Sequence, residues 1–167
     1  MKHRYLRALP LLLLFITVTL HSQAKLAIYG TVGGEKSAVT NTSWTLAGTA
    51  GFYVGLKKFG PLNLSVDARA DLSSNQNSGL VGPRLAVKLP AFPIKPYGEF
   101  LIGFSDYSRT GAGLKDANQF AARYVLGADM TILPHIDWRI ADFSYDLESL
   151  GPDDHAKTLS SGLVIRL

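Results

Sequence analysis

The sequence predicts an all-β fold, an eight-stranded antiparallel up-and-down transmembrane β-barrel. Three observations predict it: strict alternation of apolar and polar residues, connections that are alternately short and long, and an export signal at the N-terminus. The alternation is clearest in Leu62–Leu72, where aliphatic residues take every second position and Asp67, Arg69 and Asp71 lie on the other face. A period of two is typical of a β-strand with one apolar and one charged face. Strands of soluble sandwiches alternate in the same way, so other parts of the chain decide which face lies inward.

The first 24 residues have the features of a cleaved secretory signal. Lys2, Arg4 and Arg7 form a basic region, Ala8–Leu20 is apolar, and Ser22–Ala24 supplies the small residues that signal peptidase reads. The apolar stretch is shorter than the roughly 20 residues that a membrane-spanning helix needs. The sequence therefore predicts a signal peptide over residues 1–24 and one barrel domain over residues 25–167.

The composition narrows the possible functions. Three of the 17 Lys and Arg residues lie in the predicted signal, which leaves 14 against 13 Asp and Glu residues in the predicted mature chain. A nearly neutral chain without a basic run is not expected to bind nucleic acid. The chain has no cysteine, so we expect its stability to come from strand pairing and packing rather than from disulfides.

Alternating segments recur eight times after the predicted signal. We predict strands at Lys25–Gly33, Trp44–Lys57, Leu62–Leu72, Leu80–Leu89, Lys95–Ser105, Gln119–Ile132, Ile136–Tyr145 and Thr158–Leu167. The first segment is the weakest, but closure of a barrel requires it. In the second and sixth segments the apolar face carries no charge, and several segments have the nine to eleven residues that a tilted transmembrane strand needs.

Two of these strands are irregular. Pro83 has no N–H for strand pairing, so we expect the fourth strand to begin pairing at about Arg84 or to bulge at the proline. In the seventh strand Asp142 follows Trp138 and Ile140 on the apolar face. We therefore expect a bulge near Ala141 that shifts the alternation by one residue.

The connections between the strands fall into two classes. The short class comprises Lys58–Pro61, the stretch around Pro90 and Pro93, and Leu133–His135. The long, polar class comprises Gly34–Ser43, Ser73–Gly79, Asp106–Asn118 and Asp146–Lys157. Transmembrane barrels place short turns on the periplasmic side and long loops outside the cell. The alternation therefore predicts four extracellular loops.

Over residues 25–167 the chain resembles the small eight-stranded outer-membrane β-barrels of Gram-negative bacteria, the OmpA/OmpX type. The end of the chain is the most specific part, since Leu163, Ile165 and Leu167 alternate as in the C-terminal assembly signal of that family. Leu167 departs from the family pattern, which ends on an aromatic residue. The resemblance implies location in the outer membrane, contact with outer-membrane lipids, and recognition by the barrel-assembly machinery. A closed barrel has no free edge, so we expect a monomer. A soluble periplasmic barrel or sandwich is the alternative.

If the apolar faces contact lipid, the opposite faces meet inside the barrel. They would bring together charged side chains of both signs: Asp67, Arg69, Asp71, Arg84, Lys88, Glu99, Arg123, Asp129, Arg139 and Arg166. The interior of an eight-stranded barrel is just wide enough for side chains to fill, and unpaired buried charges are costly. We therefore expect a salt-bridged plug, with a gated or narrow ion path as the alternative.

We expect no catalytic residue, cofactor or metal site. His135 and His155 are the only histidines after the predicted signal, and they lack the spacing of metal ligands. Asp153, Asp154 and His155, with Glu148 nearby, could gather a cation, but Gly151–Asp154 is first of all a turn. Ser160 and Ser161 would meet His155 only if the fold happened to bring them together.

The expected function is therefore a structural or surface-interaction role, in which a rigid barrel presents four loops to the outside. A small channel or conduit for solutes is the alternative, and a lipid A-modifying enzyme ranks last. The loops have generic polar sequences, so they identify no ligand.

Overall fold

In a computed structural model the described residues are 25–36, 43–73, 76–88, 91–107, 117–148 and 155–167. They form eight strands: β1 Leu26–Lys36, β2 Thr45–Phe59, β3 Leu62–Ser73, β4 Gln76–Val87, β5 Ile94–Tyr107, β6 Ala117–Leu133, β7 Ile136–Glu148 and β8 Lys157–Arg166. Each strand pairs antiparallel with its neighbours along the chain, and β1 pairs with β8 to close the barrel. The predicted eight-stranded up-and-down barrel is confirmed. The predicted signal peptide lies outside the described residues.

No helix among the described residues has the length and apolar character needed to cross a bilayer.

The two ends of the barrel differ in their connections. Gly60-Pro61 and Pro134-His135 each join two strands through two residues, and residues 88–93 join β4 to β5 at the same end. We name this the turn end and the opposite end the loop end. Both two-residue turns use a left-handed residue, Gly60 with φ 58° and His135 with φ 71°. A positive φ is unusual for a residue with a side chain, so the turn fixes the position of His135 against its intrinsic preference.

The connection between β3 and β4 is shorter than the sequence predicts. β3 ends at Ser73 and β4 begins at Gln76, so the polar segment predicted as the loop Ser73–Gly79 lies mostly within β4. The side chains explain the error, because Gln76 and Ser78 are polar yet buried in the barrel interior. Polarity here indicates a polar interior rather than solvent, and the alternation of short and long connections fails at this one place.

Pro83 neither delays nor shifts strand pairing, contrary to both alternatives predicted for the fourth strand. It lies opposite Val66 of β3 in an unbroken ladder. On the β5 side the ladder runs from Val81 opposite Ile102 to Arg84 opposite Glu99 without a change of register, and only the pairs between them are missing. The missing N–H therefore affects one neighbour only, and the flanking pairs hold the register.

Three strands contain bulges: one in β6, between Thr131 and Leu133, lies beside the turn to β7, and those in β2 and β7 decide which side chains face inward. In β7 the register with β8 shifts between Arg139 and Asp142, which is the bulge predicted near Ala141. In β2 the register with β3 shifts between Gly55 and Lys57, and the sequence did not indicate this bulge. Regular alternation would place Lys57 on the inner face. Lys58 lies there instead, opposite the inward-facing Asn63.

The interior and the exterior of the barrel are inverted relative to a soluble protein. The large side chains facing out are mainly aliphatic and aromatic, whereas Asp67, Arg69 and Arg139 are almost completely buried inside. The interior is not uniformly polar, since Leu101, Val125 and Val164 are also fully buried there. The charged face of β3 is therefore the inner one, as expected for a barrel whose outer surface contacts lipid.

Candidate functional site

Six buried side chains of alternating charge form a closed ring across the middle of the barrel. We name it the charge ring, and its members in order are Arg69, Glu99, Arg84, Asp129, Arg139 and Asp142. Inward positions on β3, β4, β5, β6 and β7 supply them, because alternate residues of a strand share one face. Each charged group in the ring therefore contacts two groups of opposite sign.

The contacts of the charge ring are close ion pairs, and all except that between Arg84 and Glu99 are also hydrogen bonds. Arg84 lies 3.0 Å from Glu99 and 2.8 Å from Asp129. Arg139 lies 3.0 Å from Asp129 and 3.1 Å from Asp142. Arg69 contacts Glu99 and lies 3.2 Å from Asp142, which closes the ring. Because every member is paired, the ring avoids the large penalty of an isolated charge in a water-poor interior.

Asp142 is a member of the charge ring and was not among the interior charges predicted from the sequence. In a regular strand, residues three apart point to opposite faces, so Asp142 would face lipid when Arg139 faces inward. The bulge in β7 inserts one extra residue between them, and both side chains lie inside the barrel. The predicted bulge already implied this position.

Tyrosines hold the charge ring from both sides. The hydroxyl of Tyr29 donates to Asp67 at 2.8 Å, and the hydroxyl of Tyr97 donates to Asp142 at 2.6 Å. The Arg139 guanidinium lies 4.0 Å from the ring centroid of Tyr29 and 4.8 Å from that of Tyr97, distances typical of cation–π contacts. Gly51 leaves room for the Tyr29 ring, since a Cβ at Gly51 would lie 2.5 Å from the tyrosine oxygen.

A second, separate charge cluster lies towards the loop end. Arg123 contacts both Asp71 and Asp146, and among the described residues no other cation pairs with these two carboxylates. Thr49 and Ser78 donate to Asp71 at 2.5 and 2.9 Å. Gln76 donates to Asp146 at 3.2 Å. Asp146 was expected in a loop and Gln76 in another, so polar residues at the loop end were assigned to the surface too readily.

A third group of charges lies at the turn end. Lys95 and Arg166 share Asp137 at 2.8 and 3.1 Å. Lys88 is exposed, and within the described part of the chain it has no acidic partner. The ten interior charges predicted from the sequence therefore occupy three levels rather than one network, and Lys88 lies at the opening. Lys95 and Asp137 were not among them. Each lies an even number of residues from a predicted inward residue of the same strand, Lys95 from Glu99 and Asp137 from Arg139.

The side chains weighed for catalysis and metal binding have other partners. Ser160 donates to Thr31 at 3.0 Å, and Ser161 donates to the carbonyl of Arg139 at 2.8 Å. Nδ1 of His155 lies 3.3 Å from the carbonyl of Asp146. Asp153 and Asp154 lie outside the described residues, and among those described no group of three or more His, Asp or Glu side chains is arranged to hold a metal ion.

The outer surface of the barrel, including the end of β8, is apolar. Leu126, Phe104 and Tyr124 are among many large apolar side chains that are more than half exposed. Leu163, Ile165 and Leu167 also face outward, at 52%, 44% and 68% exposure. The residues predicted as an assembly signal thus form one accessible apolar stripe at the end of β8.

Solved structures of small barrels are similar to this fold. The crystal structure of Neisserial surface protein A matches with a TM-score of 0.58 at 12% identity, covering 85% of this chain and 97% of that one. The outer membrane enzyme PagL matches at 0.57 and 17%, covering 83% and 98%. The N-terminal β-barrel domain of Pseudomonas aeruginosa OprF matches at 0.53 and 9%, covering 87% and 100%. At these identities the likeness is one of fold, and at that level the predicted resemblance is confirmed.

No protein-family model and no curated protein sequence matches the chain.

Proposed function

We propose that the protein is a bacterial outer-membrane barrel with a structural or surface-interaction role, whose interior is closed by the charge ring. The observation that carries the proposal is the ring itself. Its six side chains are at most 5% exposed and each is paired with two partners of opposite charge. An interior closed in this way is a rigid support, and function then belongs to the outer rim and the lipid-facing surface.

The apolar exterior supports placement in a membrane. Soluble monomers rarely expose a contiguous apolar patch larger than a few hundred Å². Here every strand presents exposed aliphatic or aromatic side chains, for example Ile28, Phe52 and Leu85. Outer-membrane lipids are therefore the proposed surroundings. By the usual orientation of such barrels, the turn end lies in the periplasm and the loop end faces outside.

The closed ring argues against the channel alternative. An ion crossing the barrel would have to separate Arg84 from Glu99 or Arg139 from Asp142 in an interior that offers little water to replace them. Breaking a buried pair by removing one partner costs about 3–5 kcal/mol, so such openings are rare on the scale of ion passage.

Surface recognition is assigned to the loop end. The connections at residues 37–44, 108–116 and 149–156 all leave the barrel there, next to the short β3–β4 connection at residues 74–75. Loops held by a rigid scaffold are the usual place for binding residues. The proposed biogenesis partner is the barrel-assembly machinery, which would read Leu163, Ile165 and Leu167, and the proposed state in the membrane is a monomer.

Conductance in a planar bilayer tests the proposal. Protein that migrates as a folded barrel on unboiled electrophoresis should give no steady conductance above background. The matched variant Arg69→Ala/Glu99→Ala removes one charge of each sign from a contacting pair, and it should open a water path and give small steps. Steps of equal size from the unaltered protein would favour the channel alternative. A change in lipid A mass on expression would instead favour the enzyme alternative.

A further inference from the structure

A cavity of about 600 Å³ opens at the turn end of the barrel. We name it the turn-end cavity, and the residues that matter for the argument are Lys58, Lys88, Lys95, His135, Asp137 and Arg166. Six lysine and arginine side chains line it against two aspartates, so its side chains carry four more positive charges than negative ones. Arg84 and Asp129 of this lining belong to the charge ring, and the other five cations face Asp137 alone. In the charge ring and the loop-end cluster, by contrast, each arginine contacts at least two carboxylates.

Four of the six cavity cations matter for binding, and they form two pairs. Lys95 and Arg166 share the buried Asp137 at 2.8 and 3.1 Å and form the inner wall. Lys58 and Lys88 are exposed towards the opening, and no described acidic side chain lies within ion-pair distance of either. A concave site with low-dielectric walls concentrates the field of such charges and attracts anions.

The bulge in β2 puts one particular lysine into the cavity. Lys57 and Lys58 are neighbours, and the extra residue between Gly55 and Lys57 decides which of them turns inward. Lys58 lies opposite Asn63 and lines the cavity. Lys57 lies 4.9 Å from the centroid of the outward Phe59 ring. The chain thus uses an irregularity at a place where regular alternation would have left Lys58 outside.

The size and walls of the cavity indicate the kind of anion. The volume exceeds what one carboxylate fills, and ammonium groups act as point charges that bind phosphate oxygens well. Ala27, Ala86 and Pro134 add apolar wall beside the cations. Such a lining suits a phosphate with an organic portion attached.

We propose that the turn-end cavity is a binding site for a phosphate-bearing anion, with Lys58 and Lys88 as direct ligands and Lys95 and Arg166 as the charged inner wall. The phosphate belongs either to a phospholipid headgroup of the leaflet at this end or to a soluble phosphate compound of the periplasm.

The test uses the processed protein purified from membranes of expressing cells, and Lys58→Gln/Lys88→Gln as the variant. Lys57→Gln is the control, since it removes one lysine charge from the residue next to Lys58 and outside the cavity. Calorimetric titration with inorganic pyrophosphate probes the soluble source. Native mass spectrometry after exchange into phosphatidylglycerol or phosphatidylcholine nanodiscs probes the lipid source. Heat-dependent electrophoretic migration verifies that all three proteins are folded.

Each outcome decides the proposal. Pyrophosphate binding that weakens at least about tenfold in the double variant, with Lys57→Gln unchanged, supports a soluble phosphate. Retention of phosphatidylglycerol that the double variant loses and the control keeps supports a headgroup. The proposal is overturned if neither ligand binds, or if Lys57→Gln reduces binding as much as the double variant does.

Discussion

Arg139 and Asp142 are three residues apart on β7, yet both point into the barrel, and Nη1 of Arg139 lies 3.1 Å from Oδ2 of Asp142. The bulge makes this contact possible, since one extra residue restores the inward parity of Asp142. The same contact is one edge of the charge ring. A local irregularity in one strand therefore completes a network that connects five strands.

Deletion of the extra residue tests this account of the bulge. Deleting Ile140 should leave Arg139 and Asp142 both inward in a regular strand, so the protein should still show the folded form on unboiled electrophoresis. Deleting Ala68 from the regular strand β3 should instead turn either Asp67 or Arg69 towards lipid and abolish that form. Equal behaviour of the two deletions would contradict the assignment.

Removing the charge of Arg123, in the cluster near the loop end, should lower the free energy of unfolding more than removing that of Arg139 in the charge ring. Arg123→Met leaves Asp71 and Asp146 without a cation among the described residues, and we expect it to lower the free energy of unfolding by about 3–5 kcal/mol. Arg139→Met should cost less, because Asp129 retains Arg84 and Asp142 retains Arg69. Urea-dependent unfolding in lipid vesicles measures both. A larger loss of unfolding free energy for Arg139→Met would contradict the prediction. It would show that an intact ring matters more than the number of cations left beside each carboxylate.

An arginine on the lipid-facing surface should destabilise the barrel more at the middle of a strand than near its end. Val66 and Leu126 lie near the middles of β3 and β6 and are exposed. Val66→Arg and Leu126→Arg should each weaken folding into lipid by about 2–4 kcal/mol, because the guanidinium must lose water or deform the bilayer. Leu133→Arg, at the turn end of β6, should cost about 1 kcal/mol or less. Folding of the unaltered protein in water without detergent would remove the basis of this prediction.

Deletions at the loop end should distinguish connecting residues from strand residues, because only the loss of strand residues should prevent folding. Replacing residues 109–115 by a short Gly-Ser turn should leave the folded electrophoretic form intact, since β5 and β6 remain complete. Deleting Gln76–Gly79, which the sequence alone also predicts as loop, should abolish that form because it removes contacts to Asp71 and Asp146. Survival of the second deletion would restore the original loop assignment.

The sequence was sufficient where a local rule decides the structure. Alternation in Leu62–Leu72 predicts both the strand and the two faces, and an apolar run interrupted by Asp142 predicts the bulge in β7. It was insufficient where the environment decides. Polar residues such as Gln76 fit a loop or a polar interior equally well. The bulge in β2 could not be predicted, because the order of Leu56, Lys57 and Lys58 is compatible with either lysine facing inward.

The pairings inside the barrel depend on information that a single strand does not contain. Whether Arg69 meets Asp142 rather than Asp129 depends on the stagger between strands that are far apart in the chain. The sequence therefore predicts a set of interior charges but not the three levels into which they divide. That set includes Lys88, which lies at the opening, and lacks Asp137 and Asp146.

The contacts from Arg69 on β3 to Asp142 on β7, and from Arg84 on β4 to Asp129 on β6, join strands that are not neighbours. Such contacts do not exist in any isolated hairpin, where Arg84 still reaches Glu99 on β5 and Arg139 still reaches Asp129 on β6. An intermediate that lacks β3 or β7 therefore leaves members of the ring with one ring partner instead of two. Each lost partner adds to the cost of holding a charge in the bilayer, which penalises partly assembled sheets and favours cooperative assembly of β3 to β7.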